Sequence, residues 1–478
     1  MTRFNKKEIK IVPTTLNKAG GQAYTESPEL EVSSILLTSF MNDKFYSSTF
    51  DQEARLIKAI SELKDKKFAA KAAIYARTKF HMRSITHFTA AEIAKQVKGE
   101  SWTRSFYKNV ISRADDATEI AAAYLRRYGK PLPNSLRRGI ADRLETFDAY
   151  SLAKYKSTGK EISMIDLVNL VHPKYTEALT ALMTGTLDSA DTWEVALAKS
   201  GQDATDEISV DQLKGEAWVR LVRSEKLPYF ALLRNLRNIM EQAPEVLDEA
   251  LLQLVDEKKI NKSKVLPFRF VTAYNQFVNI SGSQKILKAL ATAINISVNN
   301  VPDFEGTTLV VLDESGSMGD EKDSKSPFGI GVVFAAALIK KGADFMGFSN
   351  DASYRMFTGN DVMSDINAIS KSRVNGGTNF HSIFSTANRK YDRIIILSDM
   401  QGWIGQYSPA KEFTEYKKKY NADPKIYSFD LQGLGTLQFL EQNVYALAGF
   451  SDKVFDLMAL LEAGDKQALI NEINKVEL

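Results

Sequence analysis

Asp313, Ser315 and Ser317 set one carboxylate and two hydroxyls at every second position, with Gly316 between the serines. A hard divalent cation takes such a set: oxygen ligands, few charges, and a turn tight enough to aim them at one point. Ser-Gly-Ser after a carboxylate also suits an ordinary hydrogen-bonded turn. Two later stretches add oxygens. Gly376-Gly377-Thr378-Asn379 is a glycine-rich loop before a helix, from which the Thr378 hydroxyl can reach a neighbouring ion. Ser398-Asp399 ends an aliphatic run and supplies a second carboxylate. Hydrolytic use of these oxygens is the weaker reading. The order lacks the second aspartate of an Asp-x-Asp phosphoryl-transfer pair, and no G-x-x-x-x-G-K loop is present. His381, just beyond Thr378, reads as a helix-surface or packing residue rather than a general base.

A second set of residues is cationic. Arg137-Arg138 and Lys154-Tyr155-Lys156 put two basic clusters on nearby helices, and such clusters bind phosphates by displacing condensed counterions. Tyr155 offers a ring on which an unpaired base can stack. Each residue also has a purely structural use. A lysine at a helix end meets the helix dipole, and His172 before Pro173 terminates a helix. Lys417-Lys418-Lys419 between Tyr416 and Tyr420 reads as a solvated helix face. Trp102, Trp193, Trp218 and Trp403 read as packing residues. No RRM, KH or zinc-finger pattern accompanies the basic clusters.

The elements that carry these residues fall into two kinds. From Leu30 to about Val298 apolar residues recur at spacings of three and four, as in Leu56-Ile60-Leu63 and Ala117-Ile120-Ala121-Tyr124. The segments run ten to seventeen residues, and short breakers stand between some of them, at Lys130–Pro133, His172-Pro173, Leu227-Pro228, Ala243-Pro244 and Leu266-Pro267. Stacked antiparallel helix pairs fit that pattern, as in an α-solenoid with degenerate repeats; an irregular helical domain fits it too. Pro267 opens a helix carrying Phe268 and Phe270. Beyond Asn299 short apolar runs alternate with amphipathic helices. Strands are predicted at 307–312, 344–348, 353–357, 393–398, 424–430 and 443–448, with helices at 328–341, 362–371, 379–389, 409–420 and 452–462. The alternation implies a mainly parallel, doubly wound sheet, whose sites lie beyond the C-terminal ends of strands. Asp313 and Asp399 both fall at such ends. The chain therefore divides into an N-terminal extension (1–27, with IKIVP as a short strand and residues 17–21 as a loop), a helical region (28–300) and an α/β domain (301–478).

At 478 residues two or three domains are expected, and 44% apolar with 25% charged residues is a globular composition. No run reaches membrane-spanning length and the first residues lack the apolar core of a signal peptide. Cysteine is absent, which excludes disulfides and thiolate metal sites and agrees with a cytoplasmic location. Residues 1–300 carry 44 basic and 35 acidic side chains, and residues 301–478 carry 18 and 24. A basic front and an acidic back point to a polyanionic partner for the front, though an ordinary spread of surface charge also gives such figures.

The order Asp313-x-Ser315-x-Ser317, then Thr378, then Asp399 resembles the metal-ion-dependent adhesion site of a von Willebrand factor A domain. Upstream, the stretches 17–24, 74–77 with 82–87, 136–142, 154–156 and 227–236, in this order, resemble the TROVE module of the Ro 60 kDa autoantigen family, bacterial orthologues most closely. The likeness runs over residues 15–475. It implies a ring of HEAT-like helical repeats closed by the A domain. Such proteins bind small structured noncoding (Y) RNAs on the outer surface, and single-stranded 3′ ends of misfolded RNAs pass through the hole. The implied role is that of a monomeric, non-enzymatic RNA chaperone or quality-control adaptor able to tether an exoribonuclease. The family's metal is Mg²⁺ (Mn²⁺ is possible), held by Asp313, Ser315 and Ser317 with Thr378 and Asp399 direct or through water. Its Y RNA contacts map onto Lys154, onto Thr158 (a departure that leaves Lys160 as substitute) and onto His172 with one extra residue of spacing. Arg137, Arg138 and Lys156 add charge nearby. The rival reading is a protein-binding adaptor whose A-domain metal captures a partner's acidic residue, and a metal-dependent phosphoesterase ranks last.

Overall fold

The structure is a computed structural model that describes residues 15–16, 22–23, 26–38, 49–155, 159–190, 192–202, 209–320, 323, 325–402, 409–432, 438, 443–448, 453–464 and 466–478. The IKIVP stretch, residues 17–21, Lys156, Thr158 and Trp403 lie outside the described residues.

Seventeen α-helices run from Pro28 to Ser297 among the described residues. Proline sets several of their starts. Pro133, Pro228 and Pro267 stand at the caps or first positions of Asn134–Leu144, Tyr229–Gln242 and Pro267–Phe277, where a missing N–H costs nothing. Most of the helices have the ten or more residues that the sequence pattern implied, but several are shorter. Thr103–Val110, Met164–Val171 and Glu177–Thr184 have eight residues each, and Ala149–Lys154 has six. Stacking supplies the stability that such lengths lack in isolation. Each helix packs on elements one or two places along the chain, for example Thr103–Val110 on Asn134–Leu144 and that helix on Met164–Val171.

The α/β domain follows. Its strands are β1 (Thr308–Asp313), β2 (Asp344–Phe348), β3 (Ala352–Arg355), β4 (Arg393–Ser398), β5 (Lys425–Asp430) and β6 (Val444–Ala448). They form one sheet in the order β3-β2-β1-β4-β5-β6, parallel throughout except for β3 against β2. Leu309–Leu312 of β1 and Ile394–Leu397 of β4 are wholly buried, as aliphatic runs without alternation should be. The predicted helix at 379–389 contracts to His381–Thr386, and a helix at Lys466–Asn474 was not anticipated.

Helix Pro327–Lys340 is apolar on every side because it is covered on every side. Gly331 lets it sit on β1; a Cβ there would come within 2.5 Å of Leu312 Cδ1. On its far side Phe334 stacks on Phe455 (centroids 4.8 Å apart) and on Phe268 of the helical region (5.7 Å). The last helices, Pro267–Phe277 and Gln284–Ser297, thus pack on the α/β domain. So does the first. Pro28–Thr38 lies against β6 and helix Lys466–Asn474, with Ser34 Oγ donating to Ala446 O at 3.0 Å. Both ends of the helical course meet the α/β domain, which closes the course into a ring. No described helix is long and apolar enough to cross a membrane.

Candidate functional site

The strand order reverses between β1 and β4, so their C-terminal ends open a crevice at the switch point of the sheet. Asp313 ends β1 and Asp399 directly follows β4, and both side chains are fully buried. Backbone and hydroxyl donors hold them. Ser315 N donates to Asp313 Oδ1 at 2.9 Å, Ser398 Oγ donates to Asp313 Oδ2 at 2.6 Å, and Gln401 N donates to Asp399 Oδ1 at 3.2 Å. The Ser315 and Ser317 hydroxyls lie 3.1 Å apart. Thr378 is buried on a loop tied to the serine turn, where Gly316 N donates to Gly376 O at 3.3 Å. Burial raises Asp313 well above the carboxylate range, and the negative charge of Asp399 raises it further. Burial raises Asp399 as well. An oxygen-only set with two facing, desolvated carboxylates fits a hard divalent cation, whose charge would reverse that penalty. Beside it Gln401 Oε1 is buried without a hydrogen-bond partner, an acceptor suited to a water of such an ion.

Several residues of this crevice escaped the sequence reading. Gln432, just past β5, donates through Nε2 to Ser317 O at 2.9 Å and Asp399 Oδ2 at 3.4 Å, bridging the two loops. Arg373 donates to Ser315 O at 2.5 Å, to Gly319 O at 2.6 Å and to Glu314 O at 3.2 Å, clamping the serine turn from outside. Glu314 is buried, paired with Arg355, and accepts from Val374 N at 3.1 Å. Its carboxyl is raised because burial outweighs the pairing with Arg355. Position after a strand end was the available signal for Gln432; nothing local marks Arg373. His381 is half-buried and lowered by burial.

In the helical region one buried carboxylate, Asp116, gathers a separate set of cations. Asp116 accepts from Arg77 Nη2 at 2.8 Å, Arg83 Nη2 at 3.1 Å and the backbone N–H groups of Ser112 (3.1 Å) and Arg113 (2.9 Å), and contacts His87 Nε2 at 2.9 Å. Burial alone would raise its pKa; the hydrogen bond and charge of His87, Arg77 and the Arg113 amide win and hold it far below the carboxylate range. This fixes Arg113, whose guanidinium lies 4.1 Å from the Tyr155 ring centroid. Tyr155 therefore offers less ring than the sequence reading assumed. Lys154, exposed at its helix end, sits 5.5 Å from that centroid and 5.7 Å from that of Tyr150.

Arg138 is exposed and has no ion-pair partner among the described residues; Arg137 is half-buried and donates to Asn134 Oδ1 at 3.4 Å. Lys160 lies 3.7 Å from Glu119. His172 is exposed and caps its helix in the left-handed conformation (φ 51°), the terminator geometry. The structure adds two lysines. Gly139 presses its helix on Thr103–Val110, where a Cβ would stand 3.3 Å from Lys108 N, so the Lys108 backbone comes beside Gly139. Lys174 N donates to Glu145 Oε1 at 2.9 Å, at the far end of the same helix. Asp142 between them is held below the carboxylate range by the Arg104 hydrogen bonds and the charges of Arg104, Lys108 and Lys174. Lys108 and Lys174 thus lie near Asp142, four residues along its helix from Arg138, and Lys154 ends the next helix of the chain.

Comparison with known proteins bears on this arrangement. The TROVE domain model matches residues 38–192 and 186–285, more than half of the chain. The chain belongs to the TROVE-domain family. Among proteins similar to it, the RNA-binding protein RO60 of Deinococcus radiodurans is 25% identical over 346 residues, 61% of this chain and 64% of that protein. Telomerase protein component 1 of Rattus norvegicus is 22% identical over 287 residues, 44% of this chain and 11% of that protein. Neither match spans two thirds of the relative's length. The crystal structure of the Deinococcus radiodurans Ro (RSR) protein superposes with a TM-score of 0.64 and 18% identity, covering 95% of this TROVE-family chain and all of that one. That likeness is one of fold, and it extends through the α/β domain.

Proposed function

We propose that this chain is an RNA-binding protein of the Ro type. It takes a small structured noncoding RNA on its outer face and the single-stranded 3′ end of misfolded RNA through its ring. In this role it is a non-enzymatic quality-control adaptor, to which an exoribonuclease can be tethered. The observation that carries the reading is a set of exposed cations in the helical region, of which Arg138 and Lys154 have no carboxylate partner among the described residues. Unpaired surface cations on adjoining helices attract phosphate, and the relative named as an RNA-binding protein supports the assignment. The test is salt. The Kd for a hairpin RNA with a single-stranded 3′ tail should rise steeply between 50 and 200 mM salt, by roughly an order of magnitude or more for three or four phosphate contacts. A salt-independent Kd would sink the reading.

The crevice oxygens support a second assignment, a divalent cation held by Asp313, Ser315, Ser317, Thr378 and Asp399. Mg²⁺ fits best, and it supplies an open coordination edge for a carboxylate or phosphate. At a hundred times its Kd, Mg²⁺ should stabilise the protein by about 2.7 kcal/mol, read as a rise in Tm. Asp399→Asn should abolish that rise, and without metal it should melt no lower than the parent, since it removes one of two facing carboxylates. A Tm of the parent protein that ignores Mg²⁺ and Mn²⁺ would remove the ion. EDTA should leave RNA binding largely intact; if it instead abolishes capture of an acidic protein partner, the adaptor reading gains.

A further inference from the structure

Helices Ala149–Lys154 and Glu177–Thr184, with residues 186–190, line an open cleft of about 680 Å³ near Lys154. Small-ligand sites have roughly 300–1,000 Å³. Its floor is small and apolar: Ala149, Ala153, Ala178 and Ala181. Two rings line it, each with a cation beside it. Arg143 lies 4.9 Å from the Phe147 centroid and Lys154 lies 5.7 Å from that of Tyr150, whose surface is 51% exposed. Glu177 and Asp188 line the cleft as well, exposed and without ion-pair partners among the described residues.

We infer that this cleft seats an unpaired nucleobase of the bound RNA, an inference that rests on the RNA-binding reading above. A base has the shape and chemistry that the cleft answers. Its flat face stacks on Tyr150 or Phe147, its edge N–H groups donate to Glu177 or Asp188, and its phosphate remains outside, facing Lys154. Charge order argues for this occupant. A free anion would meet two carboxylates in the lining, whereas a nucleotide keeps its negative charge beside Lys154 and presents donors to Glu177 or Asp188. An apolar peptide would fill the floor and leave Lys154 without a counter-charge. Lys154 then acts at once as a phosphate contact and as the bracket that orients Tyr150.

Fluorescence anisotropy on the full chain tests this with two probes, a 3′-tailed hairpin RNA with an unpaired loop and the same hairpin with abasic loop nucleotides. The parent protein should bind the abasic probe about tenfold more weakly, the loss of one base–aromatic stack. Ala181→Trp, which fills the cleft and leaves every cation in place, should bind both probes alike. Tyr150→Ala, at an exposed ring, should do the same and serves if Ala181→Trp fails to fold by circular dichroism. Equal binding of both probes by the parent overturns the inference while leaving RNA binding itself standing. So does discrimination that survives in either folded variant. If neither probe binds at low salt, the RNA-binding reading falls and takes the cleft assignment with it.

Discussion

Asp116→Asn should cost about 3–5 kcal/mol of stability, the largest effect expected of any single change, because it strips a buried guanidinium of its counter-charge. Arg77 is only 5% exposed and bonds Asp116 through both Nε and Nη2. Neutral amide replaces carboxylate at constant volume, so the loss is electrostatic rather than a cavity. Arg83, His87 and two backbone N–H groups lose the same acceptor charge. The sign of the pH dependence follows from the depressed folded pKa. A carboxyl held below its unfolded value of about 3.9 contributes stability above that pH and loses it as pH falls toward the folded value. Denaturant melts should therefore separate parent and variant fully at pH 7, and the gap should narrow below about pH 4. An equal gap at pH 3 and pH 7 would show that Asp116 acts by packing instead. Lys285→Ala, which breaks an exposed pair with Asp248, is the contrasting control and should stay within about 0.5 kcal/mol.

The same residue shows what was legible in the sequence and what was not. Alternating apolar runs and helices placed all six strands, and β2 and β4 fall on their predicted residues. Buried parallel strands announce themselves by unbroken aliphatic runs, and the turn that follows them must hold the site. Asp313, Ser315, Ser317 and Asp399 were found that way, and the structure brings them together. Asp116 was not found. Its partners Arg77, Arg83 and His87 stand about thirty to forty residues away, and helical periodicity says which face is apolar but not which charge on it has a mate. Lys108 and Lys174 escaped for a related reason. They reach Asp142 through the close approach at Gly139 and the turn after His172, which are facts of packing. Helix length escaped as well, since turns such as 111–113 carry no proline or glycine, and Asp116 itself accepts the loose amides there.

Reversing the charge of Arg137, Arg138 and Lys154 together should weaken binding of a structured, 3′-tailed RNA by about 3 kcal/mol or more, over a hundredfold in Kd. Arg138 and Lys154 are exposed, so their reversal should leave the fold intact; Arg137, half-buried against Asn134, contributes less. The slope of log Kd against log salt should flatten by about one for each phosphate that the variant no longer neutralises. Lys160→Glu is the internal comparison. Glu119 at 3.7 Å already offsets that lysine, so its reversal should cost much less than reversal of Lys154. Binding of the triple variant at parental strength would remove the RNA from this face. The comparison at 1 M salt separates two sources of affinity. There phosphate terms are screened, and parent and triple variant should converge on whatever stacking contributes. If the cleft beside Tyr150 holds a base, that remainder of the binding should be measurable, and Tyr150→Ala should lower it while Arg138→Glu does not.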